Sequence, residues 1–262
     1  MKFNTKCVHG SGKPDSTGAI SPAIYMSSTF THPGLGETTG FQYTRESNPT
    51  RDRLETLIAG LEEGTDAIAF SSGMAAVDAV FHLFSPGDHV ILGDDLYGGS
   101  IRLFTNIYEK NGVEFTYVGT SDLDAVQAAF KPNTKAVYIE TPTNPMMEIT
   151  DVRALSKMAH DRNALVIVDN TFLSPYFQKP LHLGADIVVH SGTKFIGGHH
   201  DVISGFTIVK DDELAAQLRL IYKTVGACLS AFDSWLVIRG IKTLALRMEQ
   251  HQKNAIALAE WL

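Results

Sequence analysis

The 262-residue sequence predicts an α/β fold, a mainly parallel sheet flanked by helices, and three observations predict it. From Asp66 onwards short apolar runs alternate with longer stretches of helical spacing, the order that gives parallel strands joined by right-handed crossovers. The runs, such as Ile187-Val188-Val189, are apolar without alternation, as strands covered on both faces must be. The residues just past each run are small, polar or charged, and the carboxyl edge of an open parallel sheet is where ligands bind. With 44% hydrophobic against 19% charged residues, the chain can bury a substantial core, so one large domain is expected.

Composition also excludes partners. The net charge is −7 and no run of Lys and Arg supplies the basic patch that nucleic acid or an anionic membrane requires, so neither is expected. No apolar segment approaches the ~18 residues of a membrane span, and the N-terminus has no apolar leader, so a cytoplasmic protein is expected. Cys7 and Cys228 are isolated, which fits a reducing compartment. His199-His200-Asp201 is the one sequence that invites a metal reading, but adjacent residues rarely chelate one ion together and no metal site is expected.

Residues 1–48 are rich in turn formers (Gly10, Gly12, Pro14, Gly18, Pro22, Pro33, Gly34, Gly36, Gly40) and read as an extended arm. An arm without its own core packs on something else, most simply a second copy of the chain. Tyr43 and Arg45 lie in it, either on a solvated loop or at a site. An α/β domain is expected over residues 49–230, opening with a helix over 51–62 marked by Leu54, Leu57, Ile58 and Leu61.

A strand over 66–70 runs into Ser71-Ser72-Gly73 and a helix over 74–84. Such a turn leaves free N–H groups and a positive dipole end facing whatever lies above it, or simply caps the helix. No glycine-rich dinucleotide or P-loop fingerprint occurs. The strand over 89–92 precedes Asp95-Leu96-Tyr97-Gly98-Gly99 and a helix reaching about Lys110; Tyr97 there either packs its loop or stacks on a flat ligand. Strands over 113–118, 135–140 and 165–168 come next, separated by helices over 122–130 and 151–161. The strand over 135–140 runs into Thr141-Pro142-Thr143-Asn144-Pro145, where Asn144 either meets a ligand or closes its own turn. Asp169 directly succeeds apolar Val166-Ile167-Val168 and needs a cationic or protonated partner.

The strand over 186–189 ends in His190-Ser191-Gly192-Thr193-Lys194. Ser191 and Thr193 offer hydroxyls and backbone N–H groups to an anion, and a lysine held there partly out of water attacks a carbonyl as a free amine. Most lysines are solvated surface residues, so the weight of this reading comes from its neighbours. A strand over 205–209, a helix over 211–222 and a long helix over 232–262 complete the chain. Ser71, Gly73, Tyr97, Asn144, Asp169, Ser191, Thr193 and Lys194 all fall at carboxyl ends of strands in one sheet. An amine nucleophile, an anion cradle, a flat aromatic and an acid in a dry site are together what pyridoxal 5′-phosphate requires.

Ser71-Ser72-Gly73-Met74-Ala75-Ala76, Asp95-Leu96-Tyr97-Gly98-Gly99, Glu140-Thr141-Pro142-Thr143-Asn144-Pro145, Val168-Asp169-Asn170-Thr171-Phe172 and Ser191-Gly192-Thr193-Lys194 resemble, in order, the cysteine/methionine-metabolism family of pyridoxal-phosphate enzymes. That family includes cystathionine β- and γ-lyases, cystathionine γ-synthase and methionine γ-lyase. The resemblance implies a fold-type I architecture and a carbon–sulfur lyase that splits cystathionine or a related thioether amino acid into a thiol, an oxo acid and ammonia. It implies that Lys194 carries the cofactor as a Schiff base and moves the Cα proton, that Asp169, beside Thr171, pairs with the ring nitrogen, and that Tyr97 stacks on the ring. Asn144 meets the ring hydroxyl. Ser71, Gly73, Met74, Ser191 and Thr193 hold the phosphate, joined by Tyr43 and Arg45 from a neighbouring subunit, which implies a homodimer or homotetramer. Gly99 stands where methionine γ-lyases carry cysteine, which disfavours that specificity. Family members continue into a C-terminal domain that supplies a carboxylate-binding arginine, so the helix over 231–262 is expected to lead into a part this sequence does not reach. Two alternatives accompany the lyase: γ-replacement on an activated homoserine, which uses the same cofactor apparatus, and a catalytically silent pyridoxal-phosphate-binding module.

Overall fold

A computed structural model describes residues 1–12 and 16–262; Pro14, one of the turn formers of the arm, lies outside them. The arm opens with a helix that its turn-rich composition does not signal, α1 (Phe3–His9), which buries Cys7 against α2 (Pro49–Glu62). The start of α2 is specified locally: the Asn48 side chain accepts the Thr50 N–H at 2.9 Å, and Pro49 stands at a first-turn position that needs no donor. Leu54, Leu57, Ile58 and Leu61 form its buried face, as their helical spacing predicts.

The domain then alternates strand and helix: β1 (Asp66–Phe70), α3 (Gly73–Phe81), β2 (His89–Gly93) and α4 (Gly98–Leu103), which runs on into a π-helical turn over Phe104–Tyr108. Next come β3 (Glu114–Val118), α5 (Leu123–Ala129), β4 (Thr134–Glu140), α6 (Val152–His160), β5 (Leu165–Asp169), two single-turn helices α7 (Ser174–Phe177) and α8 (Pro180–Leu183), and β6 (Ile187–Ser191). The chain closes with β7 (Gly205–Val209), α9 (Asp212–Val225), α10 (Ala231–Ile241) and α11 (Leu244–Trp261). Side chains of Ser72, Asp122, Asp151, Asp211 and Ser230 cap the helices they precede. Among the described residues no helix is long and apolar enough to cross a membrane.

The seven strands form one sheet in the order β1-β7-β6-β5-β4-β2-β3. The run β6-β5-β4-β2-β3 is parallel, whereas β7 is antiparallel to both its neighbours. The reason is its connection: residues 192–204 contain no helix to carry the chain back across the sheet, so β7 returns alongside β6. Alternation along each strand divides the interior in two. Val166 and Val168 face a core with Leu54, Leu57 and Ile58, and Ile167 faces the other with Val80, Phe81 and Val90.

The long helix expected over 232–262 is two helices broken at Lys242–Thr243. Arg247 explains the break: its guanidinium donates to the Gly240 carbonyl at 3.1 Å, the Thr243 hydroxyl at 3.1 Å and the Phe195 carbonyl at 2.6 Å. At Gly240 it satisfies a carbonyl that a continuous helix would have used itself. Leu244, Ala245 and Met248 anchor α11, while every residue from Glu249 onward is exposed.

β7 meets the start of α3 so closely that a Cβ on Gly205 would collide with the Ser72 carbonyl oxygen and lie 2.7 Å from Gly73 Cα. Both obstacles are backbone, which cannot swing aside. Gly205→Ala is expected to cost about 1–3 kcal/mol, the range of overpacking. Thermal unfolding beside wild type reads it, and an unchanged midpoint would show that this approach is loose.

Candidate active site

The carboxyl ends of β1, β4, β5 and β6 and the N-terminus of α3 enclose a cavity of about 310 Å³. Gly73, Met74, Tyr97, Asn144, Asp169, Thr171, Ser191, Thr193 and Lys194 line it, so most sequence candidates converge. Ser71 does not. Its N–H donates to the Ala227 carbonyl at 2.9 Å, and it is Ser72 that lines the cavity and caps α3 through Ala75 N–H at 3.0 Å. Neighbours on an extended backbone point to opposite sides, so Ser71 and Ser72 face apart. Tyr43 and Arg45 lie outside this cavity; Arg45 donates to the Lys223 carbonyl and stands 5.4 Å from the Tyr43 ring centroid.

Lys194 is exposed, in contrast to the partly desolvated lysine the sequence suggested. It lines both this cavity and an adjoining one of about 910 Å³ bounded by Arg247, Gln250 and His251 on α11. A tight loop presents it. Lys194 N–H reaches the Ser191 carbonyl at 3.2 Å, Gly197 N–H the Gly192 carbonyl at 2.7 Å, and Gly198 N–H the Lys194 carbonyl at 2.8 Å. Thr193 ties the loop to its far end, its hydroxyl donating to the Ser204 carbonyl at 3.2 Å and accepting the Ser204 N–H at 3.1 Å.

Asp169 sits across the cavity at the end of β5. Its Oδ1 accepts the Thr171 hydroxyl at 2.6 Å and the Thr171 N–H at 3.0 Å, and its Oδ2 the Tyr138 hydroxyl at 3.4 Å. Burial raises its pKa from the ordinary carboxylate value, and the Thr171 bonds pull it partly back. Among the described residues it has no salt-bridge partner. The Thr171 hydroxyl in turn accepts the Ser191 N–H at 2.8 Å, linking the ends of β5 and β6. On the opposite face of the same strands, buried Glu62 Oε1 accepts Asn170 Nδ2 at 2.9 Å and lies 2.6 Å from His190 Nε2, a second clamp on those ends.

Gly73 is a cradle that a side chain would fill: a Cβ there would lie 2.8 Å from Ser191 Cβ. The N–H groups of Gly73 and Met74 belong to the first turn of α3, where a helix offers no partner of its own. These features fit pyridoxal phosphate in both its parts: unpaired N–H groups beside hydroxyls for the phosphate, and a half-buried acid, without a salt-bridge partner among the described residues, for a protonated ring nitrogen. Among the described residues, no group of three or more His, Cys, Asp or Glu is placed to hold a metal ion.

Sequence reasoning missed Glu140 as a site residue. It ends β4 beside Asp169 in register, lines the cavity, and is buried. Its signal, an acid closing an apolar strand, is the one that singled out Asp169. Burial, with the Asp169 charge adding to it, pushes its carboxyl from 4.5 up to about 7. Between these two values the folded protein holds a proton that the unfolded chain has lost, so this group's contribution to stability falls as pH rises, by at most about 3 kcal/mol. In cofactor-free protein, Glu140→Gln is therefore expected to gain in melting temperature relative to wild type between pH 5 and pH 8. An unchanged difference across that range would show that the carboxyl titrates normally.

Comparison with known proteins extends the site to a whole-chain likeness. A family model described as Cys/Met metabolism PLP-dependent enzyme matches residues 4–262. The chain is 50% identical over 261 residues to a cystathionine beta-lyase of Lactococcus lactis subsp. cremoris (strain MG1363), covering 99% of this chain and 69% of that relative. It is 50% identical over 254 residues to a cystathionine gamma-synthase of Haemophilus influenzae, covering 97% and 69%. The crystal structure of cystathionine gamma-lyase from Lactobacillus plantarum complexed with L-serine superposes with a TM-score of 0.98 at 48% identity, over 100% of this chain and 68% of that one.

Proposed function

Because this chain belongs to the Cys/Met metabolism PLP-dependent enzymes, we propose that it is a carbon–sulfur lyase cleaving cystathionine or a related thioether amino acid by β- or γ-elimination. The products are a thiol, an oxo acid and ammonia. Pyridoxal phosphate, when bound, supplies the electron sink that lets negative charge develop at the substrate Cα.

The chain's own residues do the rest. Lys194 Nζ, exposed to both cavities, would be the attachment point for the cofactor and the base that takes the substrate Cα proton. Asp169 holds a proton on the ring nitrogen, and Thr171 keeps its carboxylate in place. Tyr97 covers the ring, and Asn144 meets the ring hydroxyl. Gly73, Met74, Ser191 and Thr193 receive the phosphate. Tyr43 and Arg45 complete the phosphate site of a second copy, in a homodimer or homotetramer; their position outside this chain's own cavity supports that assignment.

The observation that carries this reading is the pairing of opposites across one cavity: a half-buried acid that has no salt-bridge partner among the described residues on one wall and an exposed lysine on the other. The test is an absorption spectrum of the protein with pyridoxal phosphate before and after cystathionine. A visible band that shifts on substrate, with thiol and ammonia released, is expected; a well-folded protein with no band would overturn it. The gamma-synthase relative at the same identity favours a second reading, replacement at Cγ of an activated homoserine. Supplying such a homoserine with cysteine, in parallel with cystathionine, separates the two by product.

A further inference from the structure

We propose that Glu140 is a positioning residue: its carboxylate, bonded to the backbone of Tyr97, fixes the loop that carries Tyr97 against the end of β4, from which the loop that carries Asn144 departs. Glu140 Oε2 accepts the Tyr97 N–H at 3.0 Å, and the Asn144 N–H lies where it favours the ionised form. Tyr97 belongs to the segment between β2 and α4, and Asn144 to the segment after β4. One buried carboxylate thus holds the residue proposed to cover the ring, at the strand end that leads into the residue proposed to meet its hydroxyl. An outer tie joins the same segments, Met146 N–H donating to Asp95 Oδ2 at 3.0 Å.

Tyr97 needs such an anchor. The residue is 48% exposed, so packing alone does not hold its ring. On the side of α4 it lies where a Cβ on Gly99 would collide with it, and Gly99 supplies no side chain to push against. The ring therefore goes where the Tyr97 backbone sends it, and the group gripping that backbone is Glu140. The carboxylate stands beside Asp169, a like charge that makes the position costly and leaves it unexplained as a device for folding stability.

The inference rests on the proposed role of Tyr97 and Asn144 toward pyridoxal phosphate, and the experiment keeps the two apart. At pH 8, E140Q retains the size of the side chain but loses the charge and turns one acceptor into a donor. The variant is expected to keep its far-UV circular dichroism while its dissociation constant for pyridoxal phosphate rises about tenfold, the scale of one lost charge-assisted hydrogen bond. The visible circular dichroism of the bound cofactor is expected to change in amplitude, because that signal reports ring orientation, which a merely structural residue would not move. If E140Q does not fold, E140D decides by the same two readouts, since it keeps the charge but withdraws it by a methylene. Wild-type affinity together with a wild-type dichroic band in the folded variant would overturn the role of Glu140 alone. A wild-type protein that binds no pyridoxal phosphate would take down the reading beneath it as well.

Discussion

Lys194→Ala is expected to abolish the visible cofactor band and to lower elimination about 10⁴-fold, the upper scale of a positioned acid–base group. Among the described residues Lys194 is the only lysine lining either of the two joined cavities, so none of them can take over its attachment or its proton transfer. Its side chain is exposed, so truncation should leave the fold intact. The phosphate cradle of Gly73, Met74, Ser191 and Thr193 is untouched by the change, so pyridoxal phosphate should still bind, but reversibly. Dialysis and then the spectrum separate the two losses. A variant that keeps both the band and turnover would remove Lys194 from the mechanism.

Asp169→Asn is expected to reduce elimination by about 10²–10³-fold, the range for breaking a buried charge pair from one side. The substitution keeps shape and preserves one carbonyl acceptor for Thr171, so the strand ends should stay joined. Its loss is the charge that keeps a proton on the ring nitrogen. The defect should therefore appear in kcat more than in KM, because charge at Cα develops only in the transition state. Its melting temperature without cofactor should equal or exceed that of wild type, since burial already disfavours the carboxylate. A loss confined to KM would mean that Asp169 serves binding and not proton retention.

Much of this site was legible because the strands are covered on both faces. Their uninterrupted apolar runs end abruptly, and Asp169 and Lys194 stand at or just beyond two of those ends. The features that were not legible left too little signal in periodicity or depended on partners distant in the chain. α1 rests on one buried residue, Cys7, too little for periodicity to register. The break between α10 and α11 is made by Arg247 reaching Phe195 and Gly240, contacts that spacing within a helix cannot show. The antiparallel setting of β7 comes from the absence of a helix in 192–204, a stretch whose sequence carries no helical spacing. Which of Ser71 and Ser72 faces the cavity turns on a single residue, which on an extended backbone is a whole face. Glu140 differs from these: it carried the same mark as Asp169 and was passed over only because no separate role was asked of it.

The Thr171 hydroxyl both gives its proton to Asp169 and takes the Ser191 N–H. One atom thereby joins the acidic wall of the cavity to the loop that carries Lys194. The two walls cannot drift independently: a shift of β6 along its axis is transmitted to the Asp169 carboxylate without passing through any side chain longer than threonine. The span between acid and amine is in this sense a built-in gauge, set by adjacent strands and not by the flexible limbs that cross it.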